Sequence, residues 1–391
     1  MIYWGIAAKR KKSRPKPHPV VTGFLACAAL AAVTTLVLQT GLFRSQIDYG
    51  PAGSPDALAS TTPPAPQLDR ALYDSLMREL AFGPVAASSS PEASSSALVS
   101  SAASSTAASS TATSSPALPG PWPAPAPYPE AGAVLPFDRI VAYYGNFLSA
   151  SMGVLGQYPP EEMLTRLMQE VASWQAADPS VRAVPAIDYI AVTAQGYPGA
   201  DGKYRARMPA SEVEKAITLA DRVNGLVILD VQVGRSTLQD EIPLLEPYLK
   251  LPNVELAIDP EFSMKGGGVP GRVIGTFDAA DIDYAAQYLA QVVKEYSLPP
   301  KVLVVHRFTE DMVTGYRSIA PLPEVEIVMD MDGYGTPAQK IKVYDQVVKA
   351  EPVQFTGIKL FYKNDVRAGG RMMTPQEVLA LRPRPSFIQY Q

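Results

Sequence analysis

The chain holds one cysteine, Cys27, and two histidines, His18 and His306. A single thiol excludes an intramolecular disulfide framework and a thiolate metal cluster, and two imidazoles exclude a multi-histidine zinc site. No Asp or Glu occurs in the first 44 residues, which carry seven Lys and Arg. Residues 45–391 therefore hold 27 basic against 38 acidic side chains, a net charge of −11. An acidic body with a basic head argues against a nucleic-acid partner, because neutralising phosphates needs basic residues on the folded part. What is abundant is proline, 38 of 391 residues, about twice the usual ~5% and a sign of an extended low-complexity region. Apolar residues make up 47%, enough for a sizeable core, and at roughly 150 residues per domain the length accommodates two or three domains.

Residues 1–19 form a basic head, with Lys9, Arg10, Lys11, Lys12, Arg14 and Lys16. Val20 to Phe43 is nearly all apolar or small and has no charged side chain. As a helix these 24 residues span about 36 Å, sufficient for a hydrocarbon core of about 30 Å. The expected partner of this segment is the lipid bilayer, crossed once. The positive-inside bias places the N-terminus in the cytoplasm and the rest of the chain outside. The run exceeds the ~7–15 residues of a cleaved signal peptide. Cys27, in Phe24-Leu25-Ala26-Cys27, faintly resembles a lipoprotein processing box but lies early in the apolar run.

Residues 44–136 read as a tether of Ala, Ser, Thr and Pro, too poor in large aliphatics to offset its ordering entropy, so disorder is expected. One island, 66–82, repeats Leu68, Leu72, Leu76 and Leu80 at four-residue spacing and predicts an amphipathic helix of about four turns. The plainer reading is a transient helix, since isolated helices of this length are marginal in water; the alternative is a docking helix.

Residues 137–391 alternate short β-rich runs with helical patterns, the mark of parallel βαβ units. Strands are expected at 139–145, 182–192, 225–233, 254–262, 301–308, 325–333, 356–363 and 386–391. Helical patterns lie between them, including EDMVTGYRSI after the fifth strand, and Ser211/Glu214 and Thr374/Glu377 read as capping boxes. Eight strands in about 255 residues fit an α/β fold of the (β/α)8 TIM-barrel type. A doubly wound open sheet is the runner-up, weakened by the lack of a glycine-rich phosphate loop after the first strand.

Side chains alternate faces along a strand, so parity assigns them to barrel interior or exterior. One parity is aliphatic throughout; the other turns polar at the C-terminal end of nearly every strand. It brings Asp188, Asp230, Gln232, Asp259, Glu261, His306, Asp330, Asp332 and Lys359 toward the face where barrel enzymes carry their active sites. Six carboxylates gathered there indicate a ligand site, because burying so many like charges without a substrate or ion is costly. Tyr144 and Tyr362, with Tyr143, Phe147 and Phe361, are candidate sugar-stacking surfaces. Glu261 is the candidate general acid, its pKa raised by neighbouring Asp259, with Asp330 or Asp332 as its partner in two-carboxylate chemistry on a glycosidic bond.

RIVAYYGNF at the first strand resembles the opening strand of chitinase-like (family 18) glycoside hydrolases, and Asp259-Pro260-Glu261 is similar to the end of that family's strand-four motif. The resemblance implies Glu261 as general acid and Asp259 as its assisting carboxylate; the motif's earlier acidic positions fall on Val254 and Ala257. The whole chain also resembles uncharacterised bacterial envelope proteins with an anchor, a tether and a barrel. The expected activity is hydrolysis of a cell-envelope or extracellular polysaccharide, with no cofactor. Three alternatives stay open: a non-catalytic glycan-binding or scaffold barrel, a metal-dependent hydrolase holding Mg²⁺ or Ca²⁺ through the carboxylates, and a Schiff-base enzyme using Lys359.

Overall fold

The computed structural model describes residues 67–83 and 121–391. The basic head, the apolar run Val20 to Phe43 and most of the tether lie outside the described residues. Among those described, no helix is long and apolar enough to cross a membrane.

Eight parallel strands close on themselves. They are β1 (Asp138–Gly145), β2 (Arg182–Ala194), β3 (Leu226–Val231), β4 (Val254–Ile258), β5 (Lys301–Arg307), β6 (Val325–Met331), β7 (Phe355–Leu360) and β8 (Phe387–Tyr390). Each pairs with the next, and β8 returns to β1 through Ile140↔Phe387 and Tyr143↔Tyr390. Closure rules out the open sheet: the fold is a (β/α)8 barrel. A short strand, Arg205–Arg207, pairs antiparallel with the far end of β2.

The two parities make two cores. Outward residues such as Leu229, Leu256, Val305 and Ile358 pack beneath the helices, with Leu167, Trp174 and Leu289. Inward residues Ile140, Ala142, Ala186, Ile228, Ala257, Val304 and Val328 fill the barrel. The outer layer comprises α2 (Pro160–Ala177), α3 (Ala210–Asp221), α4 (Ala279–Tyr296), α5 (Pro337–Tyr344) and α6 (Pro375–Leu379). Between β3 and β4 the helix is broken into three four-residue pieces from Leu238 to Leu249, because Pro243 and Pro247 each remove a backbone donor.

Two local expectations are corrected. EDMVTGYRSI forms the 3₁₀ turns Glu310–Met312 and Tyr316–Ser318, separated by a two-residue strand, Val313–Thr314, that pairs with Phe277–Asp278 and by Gly315, whose φ of +68° lies in the left-handed region. Ser211 does not cap a helix; α3 starts at Ala210 behind Pro209, with no side-chain cap. Thr374/Glu377 is a capping box, as are Asp278/Asp281 and Thr336/Gln339.

The island in the tether is a docked helix, α1 (Arg70–Phe82). Tyr73 and Met77 join Leu135 and the inward residues Ile140, Val302, Phe355 and Phe387, closing the N-terminal end of the barrel. Arg384 fixes it twice, by its Nη1 to Glu79 Oε1 (3.1 Å) and by its backbone N–H to the Leu80 carbonyl (2.7 Å). Beneath it Glu326 accepts the backbone N–H groups of Val134 (3.0 Å) and Leu135 (2.8 Å). The helix and these bonds seal the N-terminal end of the barrel.

Candidate active site

All eight strands deliver a polar side chain to the C-terminal end. Tyr144 comes from β1, Asp188 from β2, His306 from β5, Asp330 from β6, Lys359 from β7 and Gln389 from β8. Asp230 is the penultimate residue of β3, with Gln232 just beyond the strand, and Asp259 lies directly after β4. In-register pairing sets several side by side: Tyr144 with Asp188, His306 with Asp330, and Lys359 with Gln389. Gly357 makes room for this layer, since a Cβ there would stand 2.5 Å from Asp330 Oδ1 and 2.9 Å from the Phe387 ring.

His306, wholly buried, is the hub. Its Nε2 lies 3.0 Å from Asp230 Oδ2, and its Nδ1 lies 3.4 Å from Asp330 Oδ2 and 3.6 Å from Asp332 Oδ2, outside hydrogen-bond alignment. Burial pulls its pKa down, but the bond and charge of Asp230 outweigh it, so His306 is held well above the ordinary imidazole range. Lys359 Nζ sits 3.5 Å from the centroid of the Tyr144 ring, a cation–π contact in a desolvated setting. Gln389 Nε2 donates to Asp188 Oδ2 at 2.5 Å, and Gln232 Nε2 donates to the Tyr144 hydroxyl at 3.1 Å.

Burial is the largest influence on these carboxyls. Asp188 is pushed up to about 8 by desolvation and the charge of Asp230. Asp259 and Asp332 are raised by desolvation, with His306 pulling back and the neighbouring carboxyls adding a smaller upward push. Glu261 is raised to about 7 by burial and then by Asp332, against Lys359 and His306. Asp259 and Glu261 also repel each other, as the sequence predicts, an effect that falls on the Asp259 carboxyl. Asp259 also uses Oδ1 to accept the Glu261 backbone N–H at 3.0 Å, capping the 3₁₀ turn Pro260–Phe262 that carries Glu261 beyond the end of β4. Glu261 is consequently the half-buried member of the group, at the rim, whereas Asp188, Asp230, His306 and Asp330 have no exposed surface.

Asp188, Asp230, Gln232, Asp259, Glu261, His306, Asp330, Asp332, Lys359 and Tyr144 thus meet at one end. Tyr362 does not: it faces outward, donates to Glu170 Oε1 on α2 at 2.6 Å and stacks on Tyr390 at 5.3 Å. Odd-numbered β7 residues face inward, so Tyr362 is on the wrong parity, as are Tyr143 and Phe147 among the other aromatics. Gln389 is the member that sequence reading missed, although the inward parity of Phe387 on the same strand points to it. Among the described residues no group of three or more His, Cys, Asp or Glu side chains is arranged to hold a metal ion.

No family model matches the chain, and no curated protein matches it. Among solved structures, GH26C from Muricauda sp. MAR_2010_75 aligns at a TM-score of 0.29 and 12% identity, over 64% of this chain and 70% of that one.

Proposed function

We propose that the barrel is a glycoside hydrolase of the two-carboxylate kind, acting on an envelope or extracellular polysaccharide. The observation that carries this reading is the Glu261 carboxyl, half-exposed at the rim, raised to about 7 and next to the charge of Asp332. A general acid works best when its pKa lies near the working pH, and a second carboxyl pushing on it is the usual means of putting it there. Glu261 protonates the leaving oxygen; Asp332, at the edge of the buried layer, is the partner that attacks or activates water. Asp330 lies deeper, without exposed surface, and acts on the charge balance below. Asp259 positions Glu261 through its backbone N–H.

Glu261→Gln is expected to lower turnover roughly 100- to 10,000-fold on a susceptible glycan while leaving the fold intact. In the parent, activity falls about tenfold per pH unit above ~7, as Glu261 loses its proton, and this limb is absent in the variant. Release of reducing ends across a pH series measures both; unchanged turnover in the variant removes Glu261 from the mechanism. The full burial of Asp188, Asp230 and His306 favours a second reading, a barrel that binds glycan without cleaving it, for which affinity without product is the signature.

The anchored location is part of the same proposal. It is supported by the uncharged run Val20 to Phe43 behind six Lys and Arg side chains. Sedimentation of the full chain with membranes after an alkaline wash is the expected outcome; its release into the supernatant contradicts it.

A further inference from the structure

One buried ion pair ties together two consecutive loops at the C-terminal end of the barrel. Lys340, on α5, and Asp365, in the loop after β7, are both buried, with Nζ 3.2 Å from Oδ2. Lys340 Nζ also donates to the Gly333 carbonyl at 2.8 Å. Asp365 Oδ1 accepts the Gly335 N–H and Oδ2 accepts the Phe361 N–H, each at 2.9 Å. No nitrogen or oxygen of either side chain is left without a partner. The segment gripped in this way, Gly333-Tyr334-Gly335, directly follows Asp332. The Tyr334 ring adds a brace, meeting Phe361 edge-on with centroids 6.1 Å apart.

A buried ion pair is a weak source of stability, because desolvating two charges cancels most of their attraction. What this one supplies is a path for the chain. Gly333 and Gly335 give the segment little stiffness of its own, and the pair bonds to the backbone of both. Resting on the two-carboxylate reading, we infer that Lys340 and Asp365 are positioning residues for that chemistry: through the backbone, they fix where Asp332 stands relative to Glu261. The separation of two such carboxyls decides whether the second attacks the sugar or activates water, a difference of about 1–4 Å. Catalytic groups need placement to within about 0.5 Å, which a glycine-flanked turn without a clamp does not give. Released, the Asp332 carboxyl moves away from Glu261, since like charges separate when the backbone allows it.

The test is a titration of the Glu261 carboxyl by NMR of the full chain with isotope-labelled glutamate, the signal assigned by its loss in Glu261→Gln. The key variant is Lys340→Met/Asp365→Leu, which removes both charges with side chains of similar shape and so leaves no uncompensated ion. It is expected to keep the parent's circular dichroism. Its Glu261 midpoint, about 7 in the parent, is expected to fall by at least about half a pH unit. His306, Lys359 and Asp259, which also interact with Glu261, are unchanged in it. Asp332→Asn lowers the midpoint too, and adding the pair substitution to Asp332→Asn produces no further fall, because the pair works through Asp332. If the variant does not fold, Lys340→Gln/Asp365→Asn, a neutral hydrogen-bonded pair, replaces it, with a smaller fall of the same sign expected. An unmoved midpoint in the folded variant, or an equal fall in the Asp332→Asn background, overturns the inference. None of these readings uses a substrate. The hydrolase reading fails separately, if no glycan is cleaved in a Glu261-dependent way, and the titration is decided apart from it.

Discussion

Asp188 has one hydrogen-bond partner, Gln389 Nε2, and its other oxygen is buried without any. Its folded pKa of about 8 stands above an unfolded value near ~3.9. A carboxyl raised on folding favours the native state most fully below the unfolded pKa, and that advantage drains away as pH climbs toward the folded value. Asp188→Asn has no charge to bury and keeps an oxygen for Gln389. It is expected to match the parent near pH ~4 and to exceed it in stability by a margin that widens up to about pH 8. Urea unfolding at a series of pH values reads this directly; a constant deficit at every pH means the carboxyl is needed for its shape instead. Much of the residue-level picture was legible beforehand, because parity along a strand follows from backbone geometry alone. Asp230, His306 and Asp330 met because each sits at the inward C-terminal end of its strand. Tyr362 was misplaced because it was chosen as an aromatic with its parity overlooked. The push of Asp332 on Glu261 comes from two strands away around the barrel, a neighbour that adjacency along the chain does not reveal.

At the scale of elements the leucine stripe on α1 gives the clearest contrast between pattern and packing. Leu68, Leu72, Leu76 and Leu80 predicted the helix but not its buried face. The residues that dock are Tyr73, Met77 and Ala81, one position on, while Leu72 is 47% exposed. Periodicity marks an amphipathic helix; which side is buried depends on the cavity it closes, here the floor left by Ile140, Val302, Phe355 and Phe387, and no local pattern encodes that shape. The two faces are separable by mutation. Met77→Ala empties a site in the floor and is expected to cost about 2–4 kcal/mol, whereas Leu72→Ala stays within about 0.5 kcal/mol. Denaturant midpoints for the pair check this, and equal losses place the helix on the opposite face. The turns between β5 and β6 make a similar point: EDMVTGYRSI has helical spacing, but the short strand Val313–Thr314 and Gly315 in a left-handed conformation interrupt it. The eight strands, by contrast, were readable in number and place, since strands buried on both sides are written as continuous Val, Ile and Leu runs; their C-terminal ends were drawn too long, most of all at 254–262, where the strand stops at Ile258 and Glu261 rides on a 3₁₀ turn.

For the whole molecule, the buried acids share one direction. Asp188 and Glu326 are each raised to about 8, and Asp259, Asp332 and Glu255 are raised as well, in every case chiefly by desolvation. All five bind protons more tightly folded than unfolded, so each contributes stability below its unfolded pKa of about 4 that is lost as pH rises through the folded value. His306, raised by Asp230 against the pull of burial, has the same sign: its contribution is present below ~6.5 and fades at higher pH. Opposed to them are acids held down on folding. In Glu241 burial pulls upward but is outweighed by Arg207 and Arg205, and in Asp178 by Ser180 and Arg139. These contribute above the ordinary carboxylate range and lose their contribution as pH falls below it. The two sets balance on the acid side of neutrality, in contrast to a protein whose carboxylates are mostly paired at the surface. The melting temperature is therefore expected to peak near pH ~5 and to fall steadily toward pH ~8.5, with the barrel floor under Glu326 and the acidic layer under Glu261 both loosening in that range. Scanning calorimetry across that interval decides it. A melting temperature that is flat or rising there means the buried carboxyls ionise without cost, and the charge lattice is then better solvated than its burial implies.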